Sequence, residues 1–323
     1  MARGIFLPRF PAFERMLPVF HNAGVRTRQL VMPVDWYLQP RSWPERGEAF
    51  LEGALDLFCQ AAQGALDEAG LSGADIDTIV TVSSTGIATP SLEARALSRL
   101  GFRSDAARVP VFGLGCAGGA TGLGLASRLA RSQPGGKVLL VCVELCSLAF
   151  RLNDPSKTDI VSTAIFGDGA AACVLSAGPG GFATVTGQAE HTWPDTLEIM
   201  GWRMEPTGLG VVLSATLPSF VAKEIRPAMV GMLARQGLEI DDIDRFICHP
   251  GGMKVIEALE TAFGLGQGTL DHEREVLSDH GNMSSPTVLF ILDRARRAGL
   301  PDRSVVSALG PGFTASSVTL AAA

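Results

Sequence analysis

Residues 137–145, KVLLVCVEL, form an almost unbroken apolar run rich in β-branched side chains. A strand of this kind has no polar face to offer water, so it belongs inside a sheet that is covered on both sides. That segment excludes an open sheet with one wet face and asks for helices above and below. The flanking sequence supplies them. Residues 47–70 (GEAFLEGALDLFCQAAQGALDEAG) carry apolar side chains at helical spacing, with Gly70 as a stop, and predict an amphipathic helix. Short strands are predicted at 77–82 and 109–114, with a helix at 91–100 behind Pro90. Helical spacing resumes at Leu123, Ala126, Leu129 and Ala130. The same theme returns with helices near 221–236, 253–263 and 285–298 and strands at 245–248 and 304–309. Strands alternating with helices favour a layered α/β fold. The two parts share this strand–turn–helix logic without a close sequence repeat, and no Pro/Ser linker divides them.

At 323 residues the chain suits one large fold or two intimately packed halves. Its 46% hydrophobic and 19% charged residues exclude a disordered or fibrous protein. A net charge of -6 supplies no overall positive field, which argues against nucleic acid as the main partner. No apolar run reaches the ~20 residues that a membrane-spanning helix needs, and residues 1–9 lack the apolar core of a signal peptide. The cytoplasm is the expected compartment. Cysteines at 59, 116, 142, 146, 173 and 248 then read as reduced thiols. None joins a His/Cys cluster at zinc-ligand spacing, so no metal site is expected.

Cys116 stands apart from the other thiols because it follows a strand and opens a helix within GLGCAGG. The positive end of a helix dipole and nearby backbone N–H groups would lower its pKa and favour the nucleophilic thiolate. Glycines on both sides let a substrate carbonyl approach. A nucleophilic Cys needs a base, and His249 in FICHPGG, at the end of a strand turning into a helix, has the comparable setting. Asn282 lies in the polar turn DHGNMSSP before an apolar helix. An Asn there is usually a cap. Beside His249 its amide would instead donate to a thioester oxygen as charge develops on it. Asp168, in Gly167-Asp168-Gly169, reads as a turn residue.

GCAGGATGL from Gly115, FGDGAAACVL from Phe166, HPGG from His249, GNMSSPTVLFIL from Gly281 and LGPGFT from Leu309 together resemble the ordered signature of the type III, chalcone-synthase-like polyketide synthases. The resemblance runs from about residue 20 to the C-terminus. Within that family, residues 31–40, 141–159 and 200–214 are most similar to microbial alkylresorcinol and alkylpyrone synthases. The resemblance implies an α/β, thiolase-like fold of pseudo-duplicated five-layered αβαβα architecture. Residues 1–180 would form the half carrying the nucleophilic Cys, and 181–323 the half carrying the His and Asn. It further implies a homodimeric acyltransferase with no cofactor, since the acyl-CoA starter and malonyl-CoA are themselves the substrates. Family members usually begin with an additional strand and helix, so this chain reads as short at its start.

Carried over by position, Cys116, His249 and Asn282 match the catalytic triad. Phe166 matches an aromatic gatekeeper between a CoA tunnel and the acyl pocket, and Val211 takes the place of a second one. Cys146 and Ala149 fall where plant enzymes line the cavity with hydroxyl side chains, and Trp202 is expected along the acyl channel. Ser84, Glu144 and Ser284 match a water-binding network used in ring closure. Gly310, Pro311 and Gly312 match a loop that shapes the site. Arg15 falls at a basic CoA-contact position, while Pro18 and Asn22 replace two others. A β-ketoacyl-acyl carrier protein synthase III shares the fold and the Cys-His-Asn set, but a different His motif is expected there. A non-catalytic thiolase-fold acyl-binding protein is the other alternative, and the presence of all three reactive side chains argues against it.

Overall fold

The structure, a computed structural model, describes residues 2–8, 10, 13–150 and 156–323. Residues 151–155, inside the 141–159 stretch, lie outside the described residues. Helices α1 (Ala2–Phe6), α2 (Phe13–Asn22) and α3 (Val34–Tyr37) precede the long α4 (Trp43–Ala69). Helix α4 begins at Trp43, earlier than the apolar spacing predicts, because Ser42 and Glu45 cap each other's backbone N–H reciprocally. It stops at Gly70, which turns left-handed at φ 66.

The first sheet comes next: β1 (Thr78–Val82), α5 (Leu92–Leu100), β2 (Ala107–Val111), α6 (Gly118–Arg131), β3 (Lys137–Leu145), α7 (Lys157–Ile165) and β4 (Asp168–Ser176). Then follow β5 (Ala183–Thr192), a β6 (Met200–Glu205) and β7 (Gly208–Leu213) hairpin, α8 (Leu217–Ala234), β8 (Arg245–Cys248), α9 (Met253–Phe263), α10 (Asp271–His280), α11 (Thr287–Gly299), β9 (Arg303–Gly310) and β10 (Thr314–Ala322). The strand expected at 109–114 ends at Val111, and Asp279 and His280 close α10 where a polar turn was expected.

Strand order exposes the internal duplication. The first sheet runs β2-β1-β3-β4, the second β5-β10-β9-β8. In each, a parallel pair (β1 with β3, β8 with β9) is followed by an antiparallel neighbour (β4, β10). Helices α4 and α5 pack on the outer face of the first sheet, and α8 and α9 cover the second. Helices α6 and α11 touch strands of both sheets and form the middle layer. The fold is therefore the α/β thiolase-like stack of helix, sheet, helix, sheet, helix.

The apolar run that led the sequence reading does what its chemistry requires. Val138, Leu140 and Cys142 of β3 face the middle layer, while Leu139, Val141, Val143 and Leu145 face α4 and α5. Alternate residues of one strand thus feed two separate cores. In the second sheet Val306 and Ala308 face the middle layer, and Val305 and Leu309 the outer one. Among the described residues, no helix is long and apolar enough to cross a membrane.

Close approach at glycine locks the middle layer to its neighbours. A Cβ on Gly119 would sit 2.3 Å from the Ser285 carbonyl oxygen, and one on Gly310 would sit 2.5 Å from both Ala117 Cβ and the Leu114 oxygen. Overpacking of this kind typically costs about 1–3 kcal/mol. Gly310→Ala is therefore expected to lower the urea midpoint by that equivalent and to slow alkylation of Cys116. Gly64→Ala on α4, where a Cβ meets nothing within 4 Å, should be neutral or stabilising. Equal midpoints for the two variants would contradict this account.

Candidate active site

Cys116 sits in a single 3-10 turn, Gly115–Ala117, immediately ahead of α6. The turn is held from two sides. Ser84 Oγ, at the end of β1, accepts the Gly113 N–H at 3.2 Å and the Gly115 N–H at 3.0 Å. From the other side Pro311 presses on Gly115, whose backbone is left-handed at φ 48 and where a Cβ would lie 2.7 Å from Pro311 Cδ. The Gly310–Gly312 segment thus shapes the nucleophile turn by contact.

Asn282 follows Gly281 (φ 71), which lets the chain leave α10 sharply. It then pairs with Phe166 as an isolated parallel bridge. Asn282 Oδ1 accepts the Ser284 N–H at 2.7 Å and lies 3.9 Å from Cys116 Sγ, which leaves the amide NH2 to donate. Ser284 itself is a non-glycine residue at φ 62, a sparsely populated conformation. His249 ends the strand direction of β8, its N–H donating to Ser307 O at 2.8 Å. The ring is 3% exposed, and neither ring nitrogen has a hydrogen-bond partner.

These three side chains share one cavity of about 30 Å³, walled by Ile165, Phe166, Met200, Leu213, Val255 and Leu309. Burial dominates its electrostatics. The Cys116 thiol is pushed up to about 11, chiefly by burial with help from the Glu144 charge, against hydrogen bonds from Ser284 and Asn282. Burial likewise pushes His249 down to about 3. The thiol therefore moves opposite to the helix-dipole expectation, because burial dominates. Cys116 precedes the helix instead of lying within its first turn, and no cation offsets its desolvation. At neutral pH the pair is a neutral thiol beside a neutral imidazole.

Other expected positions divide. Phe166 lines the cavity, and Arg28 donates to its carbonyl at 2.9 Å. Trp202 and Val211 face each other across the β6–β7 hairpin, half-buried and away from the cavity wall. Met200 and Leu213, two pairs nearer the hairpin base on the same face, provide that wall. Cys146 and Ala149 are buried in a 3-10 turn that packs against β7, also off the cavity wall. Arg15 is exposed on α2, which packs on α7, and takes no part in the cavity.

Around Glu144 the structure adds partners to those expected. Its carboxylate accepts the Ser84 N–H at 2.9 Å, the Thr85 hydroxyl at 2.8 Å and the Ser285 hydroxyl at 2.9 Å. The Ser84 hydroxyl holds the Cys116 turn and the Ser284 hydroxyl reaches the thiol. Thr85 and Ser285 sit beside the expected residues in the runs Ser83-Ser84-Thr85 and Ser284-Ser285, and sequence reasoning missed them. Asp168 is no turn residue. It opens β4, is buried, and accepts from the Val31 N–H and the Ser147 N–H at 2.7 Å each.

A condensing acyltransferase is what a thiolase-like stack with Cys, His and Asn on one closed apolar cavity provides. Residues 39–179 match the N-terminal domain of chalcone and stilbene synthases, and 185–322 match the C-terminal domain. The chain belongs to the chalcone and stilbene synthase family and is a type III polyketide synthase. It is 42% identical over 307 residues to 1,3,6,8-tetrahydroxynaphthalene synthase of Streptomyces peucetius subsp. caesius, covering 93% of this chain and 81% of the relative. It is 30% identical over 317 residues to the alpha-pyrone synthesis polyketide synthase-like Pks18 of Mycobacterium tuberculosis, covering 93% and 80%. Among solved structures, 1,3,6,8-tetrahydroxynaphthalene synthase from Streptomyces coelicolor A3(2) superposes with a TM-score of 0.93 at 29% identity, covering 99% of this chain and 92% of that one.

Two predictions follow from the electrostatics. A thiol at about 11 is ionised to only about one part in ten thousand at pH 7, so iodoacetamide labelling of Cys116 should speed up about tenfold for each pH unit between 7 and 10. A rate that levels off near pH 8 would contradict the dominance of burial.

Glu144 is the second case, raised from 4.5 to about 7 by burial against its hydrogen bonds. A carboxyl raised in the native state binds its proton more tightly folded than unfolded. Its contribution is thus intact below about pH 4.5 and is lost as pH rises through 7, to a total of about 3 kcal/mol. Glu144→Gln keeps the shape, with the amide oxygen toward Ser84 and Thr85. It should raise the urea midpoint at pH 8, with the gain shrinking toward pH 4.5. A gain larger at acid pH would reverse the sign and sink the argument.

Proposed function

We propose that the chain condenses malonyl units onto an aliphatic acyl starter held as a thioester on Cys116 and releases an alkylpyrone or alkylresorcinol. In the first step the Cys116 sulfur attacks the carbonyl of the acyl-CoA as its proton passes to His249. A carbon–sulfur bond forms to Cys116 as the one to CoA breaks, and CoA leaves as the thiol with the proton from His249. Malonyl-CoA then loses carbon dioxide, and its enolate oxygen is stabilised by N–H donors of His249 and Asn282. Donors of this type are typically worth on the order of 100-fold to 1000-fold in rate. The enolate carbon attacks the Cys116 thioester, the Cys116 thiolate departs, and the chain grows by two carbons. The proposed working form is the cytoplasmic homodimer that the family resemblance implies.

The observation that carries the starter assignment is the cavity wall, which beyond the three reactive side chains is built from apolar groups such as Ile165, Met200, Leu213, Val255 and Leu309. Each methylene buried there contributes about 0.8 kcal/mol. A second reading is priming by malonyl-CoA alone, giving a polyhydroxynaphthalene. The 42% relative favours it, and ten ring carbons correspond to five two-carbon units. Identity does not sort the products, however: relatives bearing that name stand at 42% and 29%, on either side of the alpha-pyrone relative at 30%.

Incubation with labelled malonyl-CoA alone, with acetyl-CoA, and with octanoyl-CoA separates these readings by mass spectrometry. The expected dominant product incorporates the octanoyl chain. A tetrahydroxynaphthalene formed from malonyl-CoA alone, and undiminished by octanoyl-CoA, would overturn the aliphatic starter while leaving the synthase class intact.

A further inference from the structure

Since neither ring nitrogen of His249 has a hydrogen-bond partner, only backbone restraint and packing locate the imidazole. On one side its N–H donates to Ser307 O of β9 at 2.8 Å. Among the described residues β8 pairs with β9 alone, so its other side is a sheet edge. An unmet N–H on that buried edge, at Cys248, would cost free energy and leave the strand end loose. Glu273 meets it. Its Oε1 accepts the Cys248 N–H at 2.8 Å, and the carboxylate is fully buried at 0% exposure in the first turn of α10. Its second oxygen lies 3.6 Å from Nη2 of Arg245, at the start of the same strand, and Arg245 is itself tied to Asp271 at 2.9 Å. A carboxylate thus stands where a neighbouring strand would, one residue before the imidazole.

We propose that Glu273, clamped by Arg245, is a positioning residue for His249. It fixes the main chain from which the ring is aimed at Cys116. This rests on the reading of His249 as the proton acceptor and donor of the reaction. No substrate contact is assigned to Glu273, so its loss acts on turnover and not on affinity.

The test uses the full chain and malonyl-CoA decarboxylation. A displacement of about 1 Å in a reacting group can cost on the order of 100-fold. Glu273→Ala is therefore expected to lower kcat about tenfold or more with KM nearly unchanged, and Glu273→Gln, whose amide oxygen accepts the same N–H, to recover most of it. Arg245→Gln, which keeps the carboxylate but loosens its clamp, should give a smaller independent drop of about threefold. Glu260→Gln is the stability control. That carboxylate is equally buried, but it serves the Gly268 and Leu270 N–H groups and Arg274, and its loss should lower Tm without moving kcat. Parental kcat in folded Glu273→Ala, or in Arg245→Gln should Glu273→Ala not fold, overturns the proposal. So does a kcat loss in Glu260→Gln matching that of Glu273→Ala. His249→Ala separates the two levels: if it still decarboxylates, the reading of the site fails, whereas if it is inactive while the Glu273 and Arg245 variants are unaffected, only the positioning role fails.

Discussion

A helix buried between two sheets gives little to water, and α6 from Gly118 to Ser127 has no exposed residue. Its partner in the middle layer, α11, is buried likewise from Thr287 to Leu292, and both sheets close on the pair. Small residues make the closure possible, as where Gly119 of α6 meets the Ser285 carbonyl just ahead of α11. The reactive groups inherit their places from this packing. Cys116 stands on the turn that enters α6, and Asn282 stands just ahead of α11. The two segments enter the middle layer at the same end, and β8 of the second sheet delivers His249 to that end just before α9. Ligand sites of layered α/β folds commonly lie at the strand ends from which helices depart.

Closure also sets the chemistry. A site sealed by Ile165, Phe166 and Leu309 excludes the water that would solvate charge, so it stores the nucleophile and base in neutral form. The surrounding polar groups do not relieve this. Glu144 turns its acceptors toward Ser84, Thr85 and Ser285, and Asp168 turns its own toward Ser147 and Val31, which stitches strands together without charging the cavity. At rest the site therefore holds no thiolate–imidazolium ion pair.

Much of this was legible from residue order. The apolar run at 137–145 announced a doubly covered strand; Cys116 and His249 were singled out by strand-to-helix settings and Asn282 by a polar turn before an apolar helix, and the fold brings all three to one cavity. What was hidden depends on distance and burial. The hairpin face that approaches the cavity carries Met200 and Trp202 alike, and only its tilt decides that Met200 and Leu213 reach the wall while Trp202 and Val211 do not. The thiol pKa went the other way from the dipole argument because motif spacing says nothing of desolvation. Asp168 looked like a turn because Gly-Asp-Gly is a turn composition, yet the acceptor was needed by a backbone N–H more than a hundred positions away, at Val31. The β6–β7 hairpin and α10 lack strong periodicity, so tertiary packing and not pattern defines them.

The unpartnered imidazole of His249 has a bearing on how such a protein drifts. Two buried ring nitrogens without partners among the described residues are a standing local frustration, of the kind that folds carry at functional sites. Neutral drift toward a better-packed interior would therefore favour an apolar residue at this position, and only selection on turnover opposes it. Lineages that lose the need for the product should lose this histidine early while the layered fold around it persists.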